Sequence, residues 1–215
     1  MSNDKIKNFA DDLMRIGLRA LIIQRFILRR AWGVYYAIWA ISFTIFFFLP
    51  IINNYFQVND NYLLNYIEYI LALTIAGITT WYNFSKTYKI LTFKKIFETT
   101  NNNKLRRKYW IFWLLYSIVL SIVIYYYWIL SLLYISLLVI PIINLFSLKR
   151  TFDKIPFEGL LSNSSFFIAC ILSIVIMQYF ANDILYAIWA IESFIWGFSG
   201  FYAIYQAHEE LIKLE

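Results

Sequence analysis

Charge is what this sequence lacks most. Only 15% of its residues are Asp, Glu, Lys or Arg, against ~25% in ordinary soluble domains. Residues 109–148 hold forty positions without a single charge. As one helix that stretch would run roughly 60 Å, twice the ~30 Å hydrocarbon thickness of a bilayer. Two spans joined by a tight bend near residues 126–131 fit it, and they return both basic flanks, Lys108 and Lys149-Arg150, to one face. Cysteine is almost missing as well. Cys170 stands alone, which excludes an internal disulfide and a cysteine-built metal site. The single histidine, His208, excludes bis-histidine haem ligation and histidine-based zinc sites. No GxxxxGKS/T loop, dinucleotide fingerprint or HExxH is present. The chain therefore hydrolyses no ATP by itself, and no cofactor or metal is expected. A cleavable signal peptide is not expected either: the first thirty residues carry ten charges, so the first span serves as its own insertion signal.

What is there points to lipid. Hydrophobic residues make up 61% and aromatics 21%, a load that suits lipid-facing and interfacial surfaces. The fold expected is all-α: a polytopic integral membrane protein of six transmembrane helices with an N-terminal cytoplasmic amphipathic helix. The amphipathic helix takes residues 1–30. The transmembrane domain takes 31–207, with spans at about 31–49, 62–84, 109–127, 130–148, 165–181 and 184–205, and a tail covers 208–215. All 19 Lys and Arg fall in the N-terminal segment, the 2–3 loop, the 4–5 loop and the tail. None falls in the three opposite turns. The positive-inside rule then puts both termini in the cytoplasm of a multi-pass protein of the cell membrane. The net charge of +6 is used by topology and anionic lipid, so no nucleic-acid partner is expected.

Along the chain, Ile6, Phe9, Leu13, Ile16, Ala20, Ile23 and Ile27 mark one face of the first helix, with Arg15 and Arg19 on another. That segment is read as lying on the cytoplasmic leaflet, or as a docking surface for a cytosolic partner. Span 1 ends at Pro50, and Gly33 with Ala37 forms a small-xxx-small step for close helix approach. Span 2 carries a polar or small face through Asn61, Asn65, Glu68, Ala72, Ala76, Thr79 and Asn83, which must look at other helices or water. Residues 86–98 read as a short amphipathic helix with Ile90, Phe93 and Phe97 on one side. Pro141 is expected to kink span 4, with Asn144 at hand for the freed backbone groups. Residues 149–164 read as a cytoplasmic loop whose Phe157, Leu160 and Leu161 press onto the membrane surface. The run Ala187, Ala190, Ser193, Gly197 and Gly200 is a packing stripe in span 6.

Few residues offer chemistry. Glu68 and Glu192 are the carboxylates well inside spans, each about 10–13 Å below the outer helix end. They read either as a proton relay, cation site or substrate contact, or as interhelical hydrogen bonds. Gly197-Phe198-Ser199-Gly200 matches the short GxSG pattern of rhomboid-type intramembrane proteases. Such enzymes need a histidine on another helix, whereas His208 lies nine residues along the same one, about 13 Å of rise. The hexapeptide at 36–41 recurs at 186–191. It reads either as an inverted repeat or as coincidence in a biased composition. The second reading is favoured, since a three-plus-three repeat would pair span 1 with span 4 and the flanks do not match.

The layout as a whole resembles a small ABC exporter permease of the ABC-2 kind. These have a cytoplasmic interfacial helix before span 1 and a 2–3 loop helix that couples to an ATPase. That resemblance implies a membrane-embedded transporter subunit, a homo-oligomer working with a separate cytosolic ATPase or other membrane subunits. Arg15, Arg19, Ile90, Phe93 and Phe97 would dock the partner, and Asn65, Glu68, Thr79, Asn83 and Glu192 would line the path or join helices. The alternatives are a proton- or cation-coupled carrier or channel using the intramembrane carboxylates, and a non-catalytic accessory subunit of a larger membrane complex. No catalytic constellation is found, so an enzyme, one acting on lipid, is the least favoured class.

Overall fold

The computed structural model describes residues 3–55, 62–94, 111, 115, 118–119, 137–152, 154–179 and 182–212. The elements are α1 (Asn3–Tyr55), α2 (Tyr62–Lys94), α3 (Val139–Phe152), α4 (Phe157–Tyr179) and α5 (Asn182–Ile212), and no strand occurs among the described residues. The all-α class holds. The expected span 3, the 126–131 bend and the start of span 4 lie outside the described residues, apart from isolated positions.

Several boundaries differ from those read off the sequence. α1 is one helix of 53 residues, roughly 80 Å long, with no break between residues 30 and 31. No proline occurs before Pro50, so nothing in the backbone interrupts it. Pro50 does not end α1 either: five further residues reach Tyr55, in the segment expected to be a loop. A proline this close to a helix end costs few hydrogen bonds. α2 continues through Ser85 to Lys94, because neither glycine nor proline follows Gly77 in it. Residues 86–94 are thus its last turns, and no separate short helix starts there. α4 starts at Phe157, eight residues before the expected 165. Pro156 stands at its N-cap, its carbonyl accepting from Leu160 N–H at 3.0 Å, at a helix end where its own missing donor costs nothing. Phe157, Leu160 and Leu161 therefore belong to a helix. Pro141 sits in the first turn of α3, and the helical chain is interrupted by a turn at Leu138. The physical reason is the clash of its ring with the carbonyl of Leu137. Asn144 does not serve the freed carbonyls: its Nδ2 donates to the Tyr35 hydroxyl at 2.8 Å.

α1, α4 and α5 form the core. α1 and α5 are antiparallel, since Phe26 meets His208, Gly33 meets Gly200 and Phe43 meets Trp189. α1 and α4 run in the same direction, pairing Arg29 with Glu158 and Phe43 with Phe166. α2 clasps α1 through Asn83 Nδ2, which donates to Ala31 O at 2.8 Å, and through Phe84 edge-on to Trp32. A Cβ on Gly33 would stand 2.9 Å from Gly200 O, and one on Gly200 would stand 2.9 Å from Gly33 O. Two backbones meet there, as the small residues of both helices allow. Around that contact lies an aromatic core of Trp32, Tyr35, Tyr36, Phe43, Phe166 and Trp196. Part of the aromatic load thus packs inside rather than facing lipid. By contrast, a Cβ on Gly77 meets nothing within 4 Å. Gly77→Ala should therefore raise stability by up to ~1 kcal/mol through helix propensity alone; a lower thermal midpoint in detergent would refute this.

Polar side chains are buried beside the aromatic core while large apolar ones lie outside. Asn144, Glu158, Ser162, Asn163, Ser173, Glu192 and Ser199 are buried, whereas Phe146, Phe194 and Phe201 are 76%, 79% and 71% exposed. Among the described residues, two helices are long and apolar enough to cross a membrane, within α4 (Phe157–Ile176) and within α5 (Tyr186–Ile212).

Candidate functional site: a buried polar seam

The seam follows from spacing on three helices. On α4, Glu158, Ser162, Phe166, Cys170 and Ser173 step by four, four, four and three, so all share one face. On α5 the same holds for Glu192, Trp196, Ser199, Ala203 and Glu210, and on α1 for Arg29, Tyr36, Ala40 and Phe43. These faces meet, burying polar side chains along α4 from Glu158 to Ser173, about 22 Å of rise.

One end is an ion cluster joining all three helices. Arg29 Nε and Nη2 donate to the two carboxylate oxygens of Glu158 at 2.8 and 3.0 Å, and Nη1 donates to Glu210 Oε1 at 2.7 Å. Glu158 is 2% exposed, Arg29 15% and Glu210 30%. Burial lowers the pKa of the guanidinium, but the two carboxylates outweigh it and hold the group above the ordinary arginine value. Sign and window follow: the stabilisation is complete below the ordinary arginine range and lost only above it, so the guanidinium introduces no pH dependence near neutrality.

Behind the cluster, Ser162 Oγ donates to Glu158 O at 2.9 Å, and Asn163 Nδ2 donates to Gly159 O at 2.7 Å. The Tyr36 hydroxyl lies beside Ser162 and Asn163, in the space left by the absent side chain of Gly159. Asn163 Oδ1 and the Tyr36 hydroxyl are buried without a hydrogen bond of good geometry among the described residues. Such atoms are costly in hydrocarbon, where water does not compensate. Ser173 and Ser199 Oγ are buried in the same condition.

Glu192 sits at the other end. It is buried, and Ser165 Oγ donates to its Oε2 at 3.1 Å. Trp189 and Trp196 stand three residues before and four after it, on the same face of α5. Among the described residues no cation pairs with it, the ion pairs being those of Arg29. Ser165→Ala should therefore cost ~1–3 kcal/mol by leaving the carboxylate without that donor. An unchanged thermal midpoint would mean another group takes its place.

Comparison with known protein families, with characterised proteins and with solved structures finds no match. The site must be argued from its own geometry. Of the residues singled out in the sequence, Glu192 lies in the seam, and Asn83 makes an interhelical contact on the other side of α1. Thr79 is exposed and bonds its own helix at Ile75 O, 2.6 Å away. Ala72 and Ala76 are buried, so part of the small face of span 2 turns inward. The side chains of Asn65, Glu68 and Phe93, and the whole of Phe97, lie outside the described residues. Arg15 and Arg19 are exposed in the N-terminal half of α1, and Ile90 near the C-terminal end of α2. Ser199 is fully buried, and His208 Nδ1 lies 2.8 Å from Ile204 O, which separates the two members of the protease-like pattern. Among the described residues no three metal-ligating side chains gather.

Sequence reasoning missed Arg29, Glu158, Tyr36, Ser162 and Asn163. The reason is the boundary at 165, which left three of them in a loop where polarity needs no explanation. The four-residue step from Glu158 to Cys170, opening just after Pro156, was the available signal.

Proposed function

We propose that this chain is an integral membrane protein crossing the bilayer six times with both termini in the cytoplasm, and that it works as the membrane-embedded subunit of a transporter. The observation that carries this reading is the placement of polarity: carboxylates, amides and hydroxyls are buried beside the aromatic core of α1, α4 and α5, while large apolar side chains such as Phe146, Phe194 and Phe201 stand exposed on the outside. A soluble monomer rarely exposes large contiguous apolar patches. A bilayer makes the arrangement favourable. Helix directions support it as well, since α1 parallel to α4 and antiparallel to α5 is what spans 1, 5 and 6 of such a chain require.

For the energy source, a separate cytosolic ATPase is the first reading. It would meet the exposed Arg15 and Arg19 in the N-terminal half of α1 and Ile90 near the C-terminal end of α2. A specific observation favours a second reading, a cation-coupled carrier: Glu192 is a buried carboxylate without a paired cation among the described residues. Gentle detergent extraction followed by mass spectrometry separates the two. Recovery of a nucleotide-binding protein supports the first. Recovery of the chain alone, with flux in vesicles lost in Glu192→Gln, supports the second. A reporter placed after Asn54 should be reachable only from outside the cell, and labelling from the cytosol would end the six-span reading.

A further inference from the structure

We propose that Glu192 and the rings around it form the binding site of a lipophilic organic cation, which makes that chemical class the cargo. The inference rests on the transport reading and names its substrate class.

The carboxylate is buried and unpaired by any cation among the described residues. Arg29, the cation that reaches the seam, is held by Glu158 and Glu210, the latter 18 residues and about 27 Å along α5 from Glu192. A lone carboxylate in a low-dielectric interior is stable only with a proton or a counter-cation. Its neighbours select the cation: Trp189 and Trp196 share its face of α5, and Phe166 follows Ser165, which bonds it. Phe43, Phe166, Trp189 and Trp196 form a continuous cluster: Phe43 lies 5.3 Å from Trp196 and 5.5 Å from Trp189, and Phe166 lies 5.7 Å from each tryptophan. Ring faces attract cations, most strongly where water is absent.

Oxygen ligands, by contrast, are few among the described residues: besides the two of Glu192, the hydroxyl of Ser165 is the one that bonds the carboxylate. Calcium takes 6–8 oxygen ligands and magnesium an octahedral set, so a hard ion gains too little here to offset its dehydration. A cation of low charge density loses little hydration, and rings supply the rest. In this structure the rings close on one another, so binding parts Phe166 on α4 from Trp189 and Trp196 on α5.

The test uses the full chain purified in detergent, with tetraphenylphosphonium as the probe. Saturable binding with quenching of tryptophan fluorescence is expected, weakened more than tenfold in Glu192→Gln and several-fold in Phe166→Leu. Dicyclohexylcarbodiimide should label Glu192 in the unmodified chain, and the probe should protect it, a readout that survives if the variants do not fold. Three results overturn the proposal: no saturable binding, equal binding in Glu192→Gln, or displacement of the probe by an equal concentration of sodium. Flux of other solutes without cation binding would sink this inference and leave the transport reading. Binding without any flux in vesicles would sink the transport reading instead.

Discussion

Arg29→Ala is expected to cost about 3–5 kcal/mol, because it leaves the nearly fully buried Glu158 without the charge that compensates it. The fork is bidentate on Glu158, with two parallel contacts at 2.8 and 3.0 Å, so both strength and direction are lost together. The loss also unties three helices at once, since the same guanidinium reaches Glu210. Glu210→Gln should do far less, at most ~1 kcal/mol, because that carboxylate is 30% exposed and water screens the pair. Arg29→Met combined with Glu158→Met should recover most of the stability, since two apolar groups replace two charges that were expensive to desolvate. Thermal unfolding in detergent reads all three. Equal losses for Arg29→Ala and Glu210→Gln would mean that Glu158 finds water or another partner when the arginine is gone.

The second large effect is expected at Gly200. A Cβ there would stand 2.9 Å from Gly33 O and 3.0 Å from Ala37 N, both backbone atoms, so no side chain can swing away. α1 and α5 must separate instead, opening the contact on which the core rests. Gly200→Ala should cost about 1–3 kcal/mol, and Gly200→Leu should fail to give a compact species on size exclusion. Gly197 is the control three residues away on the same helix. Its added Cβ would meet Ala40 Cβ at 3.8 Å, an ordinary contact, so Gly197→Ala should stay within ~0.5 kcal/mol of the starting protein. Equal behaviour at 197 and 200 would place the helix contact elsewhere.

Both predictions show where local pattern stops. Gly33 with Ala37 and the stripe through Gly197 and Gly200 are readable as packing surfaces, because small residues at helical spacing let two helix backbones approach closely. That they face each other antiparallel, with Gly33 directly on Gly200, is a matter of three-dimensional pairing. Polarity is a poor guide to where these helices end. Ser85 and Glu158 both lie inside helices, because a helix end needs a backbone reason such as Pro156 and a charged side chain is not one.

The sequence alone determined the helical class, the scarcity of charge, and the gathering of every Lys and Arg in four segments. These are properties of composition and order, and helix periodicity converts them into faces without further information. Which face meets which was decided only by the tertiary structure: Arg29 to Glu158 across 129 positions, Tyr36 beside Asn163, Ser165 to Glu192. A helix fixes the neighbours of a residue three and four positions away, but the partner of an inward polar group depends on how whole helices rotate and slide to pack. That freedom is settled by close approach at Gly33 and Gly200 and by ring packing around Phe43, interactions that no single segment contains.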